Sequence, residues 1–81
     1  MPRYYVKHPK TGRWNIYSTI IDDFILDEWA TFDELLHYAV SEAAEEKRKD
    51  ILSLKKDRPR VQTMEYDEAI AWRRAMQNGD E

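Results

Sequence analysis

Apolar and polar residues alternate with a period of two over residues 4–8 and 13–20, the pattern of two β-strands. Tyr4, Val6 and His8 share one face of the first strand, and Trp14, Ile16, Ser18 and Ile20 share one face of the second. Between them, Pro9-Lys10-Thr11-Gly12 supplies a proline-fixed φ early and a glycine that accepts φ > 0 late. The two strands are therefore expected as an antiparallel hairpin with a short, glycine-bulged loop. Asp22-Asp23 reads as a turn, and Phe24-Ile25-Leu26 would extend the hairpin to three strands.

The period then changes to that of a helix. Thr31-Phe32-Asp33-Glu34 is a capping box, in which the threonine hydroxyl accepts from the Glu34 amide and the Glu34 carboxylate reaches back to the Thr31 amide. A helix is expected to begin at Phe32, with its apolar stripe through Phe32, Leu36, Ala39, Val40 and Ala43 and with Leu35 at the edge. Ile51 and Leu54 return to that face, although Lys47 and Asp50 interrupt it. Run unbroken to Lys56, this helix would be about 38 Å long at 1.5 Å per residue and would project from a domain roughly 30 Å across. Either the C-terminal helix folds back along Ile51 and Leu54 to cover it, or a second copy of the chain does, so monomer and homodimer are both consistent.

Arg58-Pro59 ends the helix, because the residue before a proline is driven out of the α region. Residues 60–64 are short and β-permissive. From residue 65 to 76, Tyr66, Ala69, Ile70, Trp72 and Met76 mark a second amphipathic helix, closed by Asn78-Gly79 in the manner of a C-cap. The fold class expected is α+β: an N-terminal antiparallel hairpin, of two or three strands, packed with one long charged helix and a shorter C-terminal helix. Val6, Trp14, Ile16, Phe24, Phe32, Leu36, Val40 and Ile70 are the expected core.

Composition limits what such a fold can do. Eighty-one residues form one small domain, residues 1–81, with room for a single core and no second catalytic lobe. The chain has no cysteine, which removes disulfides, zinc ribbons, thiol nucleophiles and iron–sulfur clusters within it. Two glycines cannot build a glycine-rich phosphate loop. No segment approaches the roughly 20 apolar residues of a membrane span, and residues 1–10 lack a signal-like apolar run, so a soluble cytoplasmic protein without membrane partners is expected. No cofactor is indicated.

Charge is segregated along the chain, although the net charge is only −3. Residues 1–13 hold Arg3, Lys7, Lys10 and Arg13 and no carboxylate. Residues 14–46 hold no lysine or arginine but carry Asp22, Asp23, Asp27, Glu28, Asp33, Glu34, Glu42, Glu45 and Glu46. Residues 47–60 reverse the sign, with Lys47, Arg48, Lys49, Lys55, Lys56, Arg58 and Arg60 against Asp50 and Asp57. Acids near a helix start and bases near its end complement the macrodipole by about 0.3 to 1 kcal/mol each, which accounts for much of the pattern. The rest is open to three uses.

As a protein-binding surface, the carboxylates Asp22, Asp23, Asp27 and Glu28 would steer a basic partner, with Tyr17 and Trp72 as exposed aromatic anchors. As a nucleic-acid surface, Lys47, Arg48, Lys49, Lys55, Lys56, Arg58 and Arg60 would contact phosphates, against an acidic overall pI of about 5.4 and without any helix-turn-helix or RNP-like signature. As a mimic of nucleic acid, the carboxylates of residues 22–34 would occupy a partner enzyme's channel. Glu34-x-x-His37 has metal-site spacing but no second copy to complete it, and His8 beside a turn completes no catalytic constellation. The sequence therefore points to a small non-catalytic binding or accessory protein acting on another protein, with a nucleic-acid-associated regulator or an acidic inhibitor as the alternatives.

Overall fold

A computed structural model describes the backbone of residues 3–41 and 45–78 and the side chains of residues 3–37 and 47–77. The hairpin forms as expected. Strand β1 (Arg3–Lys7) pairs antiparallel with β2 (Trp14–Ser18), from Lys7 opposite Trp14 to Arg3 opposite Ser18. Gly12 takes φ +74°, and its amide donates to the His8 carbonyl at 2.9 Å. His8 Nδ1 accepts the Lys10 amide at 3.1 Å, which ties the loop to its own base.

The second strand stops at Ser18 rather than Ile20, because the Ser18 hydroxyl accepts the Ile20 amide at 3.2 Å and starts a turn. The third strand is β3 (Asp23–Phe24), shorter and earlier than expected. It pairs antiparallel with β2, Tyr17 opposite Phe24 and Ser18 opposite Asp23. The Ile25 amide still reaches the Ile16 carbonyl at 2.8 Å. Residue 26 then leaves the ladder, because the buried Asn15 side chain takes the place of a strand partner. Its Nδ2 donates to the Leu26 carbonyl at 3.1 Å, and its Oδ1 accepts the Leu26 amide at 3.1 Å. The chain rejoins β2 at Ala30, which exchanges hydrogen bonds of 2.6 and 2.9 Å with Trp14.

The permissive segment 60–64 supplies β4 (Thr63–Met64), parallel to β1, and gives a mixed sheet in the order β3-β2-β1-β4. Helices cover both faces of this α+β fold. Tyr5 and Ile16 meet Leu35 of α1 (Phe32–Ser41) and Ile51 of α2 (Glu45–Leu52) on one side. Val6, Tyr17 and Met64 meet Ala69 of α3 (Tyr66–Asn78) on the other. Val6 and Ile16 are buried as expected, while Trp14, Phe24, Phe32 and Leu36 are half-buried against the two cores. Ala69 rather than Ile70 is the fully buried residue among the described side chains of α3. The side chain of Val40 lies outside the described residues, as do those of Ala39 and Ala43.

The capping box forms, with Thr31 N to Glu34 Oε1 at 2.9 Å and Glu34 N to Thr31 Oγ1 at 3.2 Å. The helix it starts differs from the expectation in two ways. Leu35, not Phe32 or Leu36, is the fully buried residue among its described side chains. Nor does it run on to Lys56, because α2 packs back against α1. The Lys55 ammonium sits 4.6 Å from the centroid of the Phe32 ring, whereas one helix would separate those residues by about 35 Å. Ile51 and Leu54 are consequently covered by the sheet, and neither α3 nor a second copy is needed for that task. A short 3-10 turn (Ser53–Lys55) closes α2. The buried Ser53 hydroxyl donates to the Asp50 carbonyl at 2.6 Å and accepts the Arg60 amide at 2.8 Å, fixing the path around Pro59 into β4. Among the described residues no helix is long and apolar enough to cross a membrane.

Candidate docking surface

Helix α3 runs back from β4 toward the turn between β2 and β3, and two contacts fasten it there. Trp72 Nε1 donates to Asp22 Oδ1 at 3.3 Å, and Arg73 Nε lies 3.1 Å from Asp23 Oδ1. Asp22 has φ +56°, the left-handed conformation that aspartate tolerates better than most residues. A reversal this tight leaves the two residues before it at the tip, and Ile20 and Ile21 are 73% and 59% exposed. On α3, Trp72 and Met76 are one turn apart, on the same face, and 38% and 53% exposed. Four of the five large hydrophobic residues exposed among the described residues therefore lie on two segments fastened to each other. The fifth, Leu52, lies on α2.

Two of the four acids expected to steer a partner, Asp22 and Asp23, are thus spent on holding α3, while the other two, Asp27 and Glu28, are exposed in the excursion between Ile25 and Ala30. Of the carboxylates from 22 to 34, Glu34 is also engaged, in the helix cap. Trp72 is only partly exposed and is held by its indole N–H. Tyr17 is not an exposed anchor: it is fully buried, opposite Tyr4 and edge-on to Phe24 at 5.3 Å between ring centroids. Strand alternation left Tyr17 on the face away from Trp14 and Ile16, and that face is covered by α3 instead of water. A strand covered on both sides has no exposed face.

The Tyr17 hydroxyl has no hydrogen-bond partner among the described residues. Burial raises its pKa above 10.0, Asp22 and Asp23 add to the rise, and Arg73 opposes it. The folded chain thus holds this proton where the unfolded chain releases it, so its contribution is intact below pH 10.0 and is lost as pH rises through the higher folded value. Tyr17→Phe removes an unsatisfied buried hydroxyl, so it should be neutral or stabilising by up to about 1 kcal/mol and should flatten the loss of stability above about pH 10. Urea titrations at pH 7 and pH 10.5 on both proteins check this.

The basic run does not form one patch. Lys47 and Arg60 come together with Arg3, and Arg60 Nε pairs with Asp50 Oδ1 at 3.3 Å. Lys55 is turned onto Phe32. Arg48, Lys49, Lys56 and Arg58 are exposed. Of the histidines, His37 Nδ1 lies 3.3 Å from the Asp33 carbonyl oxygen, on an exposed helix turn. His8 lines an open cleft of about 640 Å³ with Lys10, Glu65, Tyr66 and Asp67. Its ring packs on Tyr66 and Trp29 at 4.6 and 5.2 Å, and its Nδ1 lone pair is committed to loop amides, so the atom a general base would use is occupied. Among the described residues, no group of three or more His, Asp or Glu side chains is placed to hold a metal ion.

Sequence reasoning missed Ile20, Ile21 and Met76 as surface residues. The signal was the order Ile-Ile-Asp-Asp: a turn made by the aspartates puts the isoleucines at its apex, where strand alternation had assigned Ile20 inward. No protein-family model, curated protein or solved structure matches this chain.

Proposed function

We propose that this chain is a small non-catalytic docking module that binds another protein through Ile20, Ile21, Trp72 and Met76. The observation that carries the reading is that four exposed apolar side chains, one of them a tryptophan, lie on two segments joined by the Trp72–Asp22 and Arg73–Asp23 contacts. Small folded proteins scatter exposed hydrophobes singly, and a contiguous group with a polar rim marks an interaction surface. Asp22 orients the Trp72 indole before any partner arrives, which lowers the cost of ordering it on binding. Asp23 and Arg73 form a charged rim beside it. Tryptophan in such a setting is the commonest type of binding hot spot, worth about 2 kcal/mol or more.

The test is comparative capture of binding proteins from an extract of the cells that make the chain. An Ile21→Ser/Trp72→Ser double variant should lose its partner by about 30-fold or more in affinity. Leu52→Ser, which removes the exposed hydrophobe on α2, should leave binding unchanged, and nuclease treatment should have no effect. Equal loss from Leu52→Ser, or release by nuclease, would overturn the proposal.

A further inference from the structure

The two basic segments of the sequence, separated by more than thirty acidic and neutral residues, meet in space. Arg3 of β1, Lys47 of α2 and Arg60 of the loop before β4 border a groove of about 240 Å³ whose other lining residues are Tyr5, Asp50, Val61 and Gln62. We propose that this groove binds a small organic phosphate, with the phosphate between the three cations and an attached ring or short chain against Tyr5 and Val61. The site is separate from the docking surface and does not depend on it.

Charge matching selects the ligand. Three cations less the Asp50 carboxylate leave two positive charges, which match a phosphate monoester at about −1.5 to −2 near neutral pH and exceed what one carboxylate offers. Volume limits it, since the groove is below the roughly 300 to 1,000 Å³ of drug-sized pockets. The wall formed by Arg60, Tyr5 and Gln62 is fixed in advance. The Arg60 amide is held by Ser53 at 2.8 Å, Arg60 Nε by Asp50 at 3.3 Å, and the Tyr5 amide donates to the Gln62 carbonyl at 3.0 Å. Asp50 thereby orients the guanidinium instead of serving the ligand, and a guanidinium so oriented suits the planar, multidentate recognition of phosphate oxygens.

Titration of the full chain with phenyl phosphate, inorganic phosphate and benzoate, followed by the amide resonances of Tyr5, Val61 and Gln62, tests the assignment. Phenyl phosphate should shift all three to saturation in the submillimolar range, with inorganic phosphate and benzoate each weaker by about tenfold or more. Lys47→Gln should weaken phenyl phosphate by about tenfold while leaving resonances remote from the groove in place, which shows that the variant is folded. No shift at these amides up to about 10 mM, equal binding of benzoate, or undiminished binding by Lys47→Gln would each overturn it. So would a single-stranded oligonucleotide that binds while phenyl phosphate does not.

Discussion

Asn15→Ala will destabilise the fold by about 2 to 3 kcal/mol, although it removes no apolar side chain. Asn15 is 1% exposed and works as a stand-in for a strand neighbour. Its Oδ1 accepts the amides of Ile16 at 2.7 Å and Leu26 at 3.1 Å, while its Nδ2 donates to the Leu26 carbonyl. Alanine leaves these backbone groups without partners in a half-buried setting, and each unmade bond costs about 1 to 3 kcal/mol less whatever water recovers. The loss is local before it is global: hydrogen exchange at Leu26 should accelerate in the variant more than at Val6. An unchanged urea midpoint would show that the excursion between Ile25 and Ala30 is held by something other than this amide.

Ile51→Ala carries the other large effect, a loss of about 2 to 4 kcal/mol. Ile51 is fully buried in the cluster with Tyr5, Ile16 and Leu35, so truncation leaves a cavity against the sheet. A single domain of 81 residues holds only about 4 to 12 kcal/mol in total, so the variant should be partly unfolded at moderate urea. The same substitution distinguishes this packing from a projecting helix left uncovered. On such a helix Ile51 would face water, and alanine, the better helix former, would be neutral or mildly stabilising. A neutral result would therefore contradict the packing of α2 against α1 and the sheet.

What the sequence made legible was local. The hairpin was readable because Pro9 and Gly12 punctuate two alternating runs, and the start of α1 because Thr31 and Glu34 satisfy each other's amides. Helix α3 was readable from Ala69, Trp72 and Met76 at helical spacing. The long-range arrangement was not. Ile51 and Leu54 repeat the face of α1, and periodicity is the same whether one helix continues or two helices present that face to one sheet. The polar interruption at Lys47 and Asp50 was the local trace of the change. Alternation in β2 separates Ile16 from Tyr17 but does not tell that both sides are covered, so Tyr17 was read as a surface residue. The candidate surface was half visible: Trp72 stood out by type, while Asp22 was read as a free charge although it orients that indole.

Site-specific photocrosslinking tests the docking surface most directly. A photoreactive residue placed singly at Ile20, at Met76 or at Arg48, which is exposed on α2, reports what each position touches in an extract of the producing cells. Discrete protein adducts of the same mass from positions 20 and 76, with none from position 48, are the predicted result. Adducts from position 48 alone, or no discrete adduct from positions 20 and 76, would contradict the assignment of this end of the fold as the binding surface.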